Sequence, residues 1–242
     1  MTTPVYDTEF ATNEFTISGE IKMMEALSTY KMKTIFDVGA NIGEWSRMAR
    51  KYQPEANIHL FEPMPPVFNK LLMNNVLDNR MWPNNAGMSE QSCLIELNYS
   101  ADNDRLSSAL HELFRPDGVI RPAFAYGGKD YCDVHDIDLI DMIKIDTEGW
   151  EMKVLKGFDH LLKDGRVALI QFEYGYANIL TKDLLIDYYR YLHPYGYMIG
   201  IQTPEGVVFR NYDLLHENFN GPNYVAVHNS NPDLIAEIQY NV

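Results

Sequence analysis

Two strand–turn–helix units follow one another between residues 34 and 75, and that succession leaves few folds open. Thr34-Ile35-Phe36-Asp37-Val38 is a short apolar run that ends in the turn Gly39-Ala40-Asn41-Ile42-Gly43. Ile42, Trp45, Ala49 and Tyr52 then recur at helical intervals, and Pro54 ends the stretch. Ile58-His59-Leu60-Phe61-Glu62 is a second strand, closed by Pro63, Pro65 and Pro66. Phe68, Leu71, Leu72 and Asn75 mark a second helix. Consecutive β-α units demand parallel strands joined by right-handed crossovers. The fold class is therefore α/β, a doubly wound and mostly parallel sheet.

The rest of the chain supplies the remaining strands. Cys93 to Leu97 is strand-like, Asp141 to Asp146 is a strand, and Trp150, Val154, Leu155, Phe158, Leu161 and Leu162 form the cleanest helical stripe. Val167 to Glu173 is a buried strand, and Leu184, Leu185, Tyr188 and Leu192 mark a helix stopped by Pro194. Tyr197–Gln202 and Tyr224–His228 close the sheet, with a turn at Thr203-Pro204-Glu205-Gly206 before Val207-Val208-Phe209. Residues 1–30 separate as an N-terminal arm and a weak helix carrying Met23, Leu27 and Tyr30. Residues 31–242 are the domain proper. Within it, residues 99–130 hold Arg105, Arg115, Arg121, Pro116, Pro122 and Gly127-Gly128 and read as an irregular insertion. Such a stretch inside a compact domain commonly serves as a lid or acceptor-binding loop.

Composition narrows the partners. With 46% hydrophobic residues among 242, the chain can bury a core and is not disordered. Twenty Lys+Arg against 34 Asp+Glu give a net charge of −14, with no basic run. Neither nucleic acid nor an anionic membrane is an expected partner. Only Cys93 and Cys132 are present, too few for a disulfide framework and without a Cys-x-x-Cys metal pair. Asp7, Glu9 and Glu14 stand where a secretory signal wants a basic start, and no apolar run approaches the length of a membrane span. A cytoplasmic protein is the expectation.

In an open α/β sheet, ligands bind beyond the carboxyl ends of the strands. Asp37 and the glycine turn stand at the first such end. Glu62 stands at the second, 19 residues past Gly43, where an acid accepts hydrogen bonds from a ribose diol. Gly-Ala-Asn-Ile-Gly lacks the Gly-x-Gly-x-x-Gly spacing that cradles a pyrophosphate. A nucleoside without phosphates, such as S-adenosylmethionine, needs only a tight turn, a ribose acid and groups for an amino acid. The plain alternative is an ordinary strand–helix turn.

Three segments carry a resemblance. Thr34 to Gly43, Leu60-Phe61-Glu62-Pro63, and Ile143-Lys144-Ile145-Asp146-Thr147-Glu148-Gly149 followed by Val154-Leu155-Lys156-Gly157 resemble the FkbM family of S-adenosylmethionine-dependent methyltransferases. The resemblance covers about residues 34 to 173. It implies a seven-stranded sheet in the order 3-2-1-4-5-7-6 with the seventh strand antiparallel, and O-methylation of hydroxyls on sugars or other polar metabolites. Met64-Pro65 and Thr147 depart from the family's common pattern.

The resemblance places Asp37, Gly39, Ala40, Asn41 and Gly43 at the amino acid end of the cofactor and Glu62 on the ribose. It puts Pro63 and Met64 near the adenine, with Asn85 and Ala86 offering contacts to the ring. Asn85 reads equally as a turn residue. Asp146, beside the cofactor, Glu148 and Glu173 could meet near the methyl group, one of them acting as general base. A pair could instead hold a divalent cation that acidifies the hydroxyl, although no metal motif calls for one. The plainer readings are a helix-dipole residue for Glu148 and a helix cap for Asp146. His111, in the irregular segment, is a further candidate base, and His135 another. Tyr174 could line the acceptor pocket, while Tyr188, Tyr189 and Tyr191 read as packing. The competing functions are a cofactor-binding scaffold without turnover and an N-methyltransferase. The Asn/Asp-Pro-Pro-Tyr/Phe sequence common in the latter is absent at residues 146–149. A nicotinamide oxidoreductase is disfavoured by the missing third glycine. The sequence leaves the oligomeric state open.

Overall fold

A computed structural model describes residues 15–75, 78–99, 119–220 and 223–241. Its centre is an eight-stranded sheet. The strands are β1 (Thr34–Val38), β2 (Asn57–Phe61), β3 (Met81–Asn84), β7 (Ile140–Ile145), β8 (Val167–Glu173), β9 (Tyr197–Thr203), β10 (Gly206–Phe209) and β11 (Asn223–His228), ordered β10-β9-β11-β8-β7-β1-β2-β3. β1 pairs in parallel with both β2 and β7, so the strand order reverses there. β11 runs antiparallel to β8 and to β9. This is the expected order, with one strand more. The Pro204-Glu205 turn doubles the chain back, and β10 pairs antiparallel to β9 as an added edge.

Successive strand residues point to opposite faces, and each face buries a separate layer. Phe36, Ile143 and Phe172 face one cluster, packed under α5 (Glu151–Gly157), α6 (Asp159–Leu162) and α8 (Leu185–Leu192). Ile35, Met142 and Leu169 face the other, under α1 (Glu20–Ala26), α2 (Glu44–Tyr52) and α9 (Pro232–Ile238). Buried on both sides, β7 is apolar except at Asp141 and Lys144, and every residue in it is buried. No helix among the described residues is long and apolar enough to cross a membrane.

The segment read as irregular, 99–130, is corrected at both ends. Tyr99 closes β5 (Cys93–Tyr99), Val119–Gly127 form β6, and Gly128–Val134 form α4; residues 100–118 lie outside the described residues. With β4 (Gly87–Ser89) these strands make a second sheet, ordered β4-β6-β5. Pro122 masked the strand. It lies opposite Glu96 of β5, while β4 pairs only with residues 125–127, so its missing N–H breaks no ladder on the open side. Ile95, Leu97, Ala123 and Ala125 on the inner face pack on Met64 and on Val67 of α3 (Pro65–Asn75).

The long helical stripe after β7 is also two helices rather than one, parted at Phe158. Gly157 lies so close to β4 that a Cβ would stand 2.3 Å from the Ser89 carbonyl oxygen, and Gly128 approaches it from α4. Gly157→Ala therefore forces backbone apart and is expected to cost about 1–3 kcal/mol. Urea unfolding with an unchanged midpoint would contradict this packing.

Candidate functional site

The first strand ends in a turn that only a left-handed backbone can make. Gly39 and Gly43 have φ of 80° and 83°, and Asn41, at 49°, tolerates that region. At Gly39 a Cβ would lie 1.7 Å from the Asp146 carbonyl oxygen, so the turn and the end of β7 touch through backbone. Asp37, fully buried, accepts a hydrogen bond from Ser46 Oγ at 2.6 Å and tethers α2 to β1. Lys144 Nζ lies 3.3 Å from Asp37 and 3.4 Å from Asp146, and donates to the Gly39 carbonyl at 3.1 Å. Burial works against that ammonium, but Asp146, Asp37 and Glu20 hold its pKa above the usual lysine value.

At the second strand end, Glu62 accepts from the N–H of Met64 at 2.8 Å and of Asn41 at 3.2 Å. Burial pushes its pKa up to about 7. Asn85 Nδ2 donates to the carbonyls of Glu62 and Pro63, so its role here is to hold that loop.

Between these ends opens a cavity of about 350 Å³, a volume suited to a small ligand. Of the sequence-predicted residues, Gly39, Ala40, Asn41, Glu62, Pro63, Asp146, Glu148 and Glu173 line it. Asp37 and Met64 lie behind the lining. Met64 is wholly buried in the cluster under the small sheet, and its N–H serves the site by holding Glu62. Gly43 and Ala86 serve as turn and core rather than wall.

Asp146, Glu148 and Glu173 come together: one carboxylate oxygen of each lies within 4.8 Å of the others. Such a set could share protons or hold a divalent cation. Burial first, then repulsion by Asp146 and neighbouring carboxylates, raises Glu148 and Glu173 well above the ordinary range. Glu148 is not a helix-dipole residue. It precedes α5 with φ of 55°, and the helix begins at Glu151. Nor does Asp146 cap that helix. Glu151 accepts from the N–H groups of Thr147 and Gly149 and tightens the turn itself.

The other candidates fall elsewhere. His111, Arg105 and Arg115 lie outside the described residues, and Arg121 is exposed on β6. His135 packs on Tyr131, with ring centroids 4.2 Å apart, in a cluster with His59. Tyr174 donates to Glu217, and Tyr188 stacks on Phe172, so both are packing. Both cysteines are free. Sequence reasoning missed a second set of wall residues: Glu20 from α1, Trp45 from α2, Ile95 and Leu97 from β5, Trp150 and Asn223. Asn223 joins the wall because it opens β11 opposite Glu173, one residue before the strand read from the sequence.

The profile described as the methyltransferase FkbM domain matches residues 37–199. The chain is 28% identical over 159 residues to methyltransferase sdnD of Sordaria araneosa, covering 52% of this chain and 60% of that protein. It is 24% identical over 142 residues to the hexuronic acid methyltransferase AglP of Haloferax volcanii, covering 58% and 56%. The chain thus spans less than two thirds of the length of these relatives. Among solved structures, a putative rRNA-methylase from Clostridium thermocellum superposes with a TM-score of 0.50 at 6% identity, covering 86% of this chain and 94% of that one. That likeness concerns the fold alone.

The raised pKa of Glu62 makes its charge a cost to the ligand-free fold. A carboxyl that binds its proton more tightly when folded loses stability as pH rises between its unfolded value of 4.5 and about 7. Glu62→Gln should therefore gain stability relative to wild type across that window, by up to about 3 kcal/mol. Thermal melts at several pH values check this, and a pH-independent difference would contradict it.

Proposed function

This chain belongs to the FkbM methyltransferase family, and on that premise we propose that it transfers a methyl group from S-adenosylmethionine to a hydroxyl of a sugar or other polar metabolite. One observation carries the reading. A single cavity has the glycine turn and Glu62 on one side and the carboxylates of Asp146, Glu148 and Glu173 on the other. The first side suits a nucleoside joined to an amino acid: it has a ribose acid at the second strand end and no pyrophosphate cradle. The second side suits an acceptor that must lose a proton. The hexuronic acid in the name of the Haloferax relative is a hydroxylated sugar, which agrees with a polar acceptor.

When bound, S-adenosylmethionine supplies a methyl group already activated on a sulfonium. The protein's tasks are then to align the acceptor oxygen, exclude water and take its proton. Glu173, at the end of β8, and Glu148, on its strained turn, are the groups placed to accept that proton. Their raised pKa values make them, once ionised, stronger bases than free carboxylates. Ile95, Leu97 and Trp150 give the cavity an apolar wall that keeps water out. The acidic lining disfavours nucleic acid as the acceptor. A cytoplasmic setting belongs to the same reading, since both thiols are unpaired.

The test is methyl transfer from labelled S-adenosylmethionine to a panel of sugars and hydroxylated metabolites. Turnover should rise with pH as the carboxylates lose their protons. Glu173→Gln should lower kcat by about 10²-fold or more while S-adenosylhomocysteine still binds. Tight cofactor binding with no turnover on any acceptor would instead favour a scaffold. Transfer to amines alone would favour an N-methyltransferase.

A further inference from the structure

Glu20 stands where the sequence shows only a weak helix after an N-terminal arm, yet it is 5% exposed and lines the cavity. It opens α1, and its position is fixed from several sides. Ser18 Oγ donates to Oε2 at 2.7 Å, and Gln171 Nε2, from β8, donates to Oε1 at 2.7 Å. Gly19, with φ of 83°, brings the backbone so close to the β9–β10 hairpin that a Cβ would meet the Thr203 carbonyl oxygen at 2.0 Å. Met23, Met24 and Leu27 anchor the same segment in the core.

Charge around Glu20 is unbalanced. Lys144 is the one cation among the described residues lining the cavity, and it is already within 3.4 Å of Asp37 and Asp146. Burial raises the pKa of Glu20 despite its two hydrogen bonds, as expected of a carboxylate that lacks its own counter-charge. Each of its oxygens keeps acceptor capacity beyond the bond it makes. A second, independent observation lies on α2. Trp45 lines the same cavity at 3% exposure, and its Nε1–H has no hydrogen-bond partner among the described residues. A buried donor left unpaired is costly and calls for an acceptor. A carboxylate wanting a cation, within reach of the Lys144 charge, and an N–H wanting an acceptor, two residues past Gly43 of the glycine turn, line one cavity and match a zwitterion.

We propose that Glu20 and Trp45 grip the amino acid end of S-adenosylmethionine, Glu20 accepting from its α-ammonium and Trp45 Nε1 donating to its α-carboxylate. The proposal rests on the cofactor reading above and adds the N-terminal helix to the cofactor site. The nucleoside end is then read by one part of the chain and the amino acid end partly by another.

Calorimetric titration of the full chain with two ligands tests it: S-adenosylhomocysteine, and 5′-methylthioadenosine, which keeps the nucleoside and sulfur but lacks the amino acid. Glu20→Gln should weaken S-adenosylhomocysteine by about tenfold or more, the scale of a charge-assisted hydrogen bond. Trp45→Phe should weaken it by about tenfold or more, because its N–H donates to a charged carboxylate. Both variants should bind methylthioadenosine within about twofold of wild type if the nucleoside contacts are independent. Unchanged affinity for S-adenosylhomocysteine, or equal losses for both ligands in a folded variant, overturns the proposal. Should Glu20→Gln fail to fold by thermal melt, wild type is titrated with the deaminated analogue of S-adenosylhomocysteine. A loss of about tenfold or more supports the proposal, and undiminished affinity overturns it. Wild type binding neither nucleoside would remove the cofactor reading itself, whereas tight wild-type binding with unaltered variants removes only the assignment of Glu20 and Trp45.

Discussion

The buried ammonium of Lys144 holds the site together. It sits at the reversal of strand order, where β1 and β7 run side by side, and it bridges Asp37 on one strand to Asp146 beyond the other. The same nitrogen donates to the Gly39 carbonyl and fixes the glycine turn. Asp37 in turn holds Ser46, and through it α2. Breaking a buried pair by removing one partner typically costs about 3–5 kcal/mol, because the other charge is left stranded. A close-packed apolar residue would hold two strands at less desolvation cost. The ion pair instead sets carboxylates and backbone at a strand end where a ligand can use them.

From that fixed point the cavity's chemistry divides. Toward β2, one carboxylate, Glu62, is held by two backbone N–H groups, and in the proposed function it accepts from a ribose diol. Toward β8, carboxylates crowd without enough cations, and their protons become the labile element. Methyl transfer asks for little else from a protein, because the donor is already activated. The small β4-β6-β5 sheet adds an apolar wall through Ile95 and Leu97. It is joined to the main sheet's chemistry by Trp150, whose Nε1 donates to Ser89 Oγ.

What the sequence made legible was local. The strand periods, the left-handed turn at Gly39 and Gly43, and the acids at the ends of β1, β2, β7 and β8 are each written within a few consecutive residues. Glu20 was not legible, because its partner Gln171 lies 151 positions away. Trp45 read simply as an apolar residue on a helix face, and its unpaired N–H exists only in three dimensions. β6 was hidden by Pro122, which is harmless on the stretch that β4 leaves open, and by Gly127-Gly128, which end the strand beside Ser89 and open α4. Glu148 was placed in a helix because Trp150 and Val154 start a helical period close behind it. The positive φ at Glu148 and Gly149 keeps it in the turn, aimed at the cavity.

In the proposed function this crevice takes a nucleoside carrying an amino acid rather than a dinucleotide. Equilibrium titration of the wild-type protein with S-adenosylmethionine and, separately, with NAD tests it most directly, followed by the fluorescence of the cavity-lining tryptophans Trp45 and Trp150. Saturable binding of S-adenosylmethionine and no saturation with NAD are expected. Saturation with NAD, or no response to S-adenosylmethionine, would contradict that function.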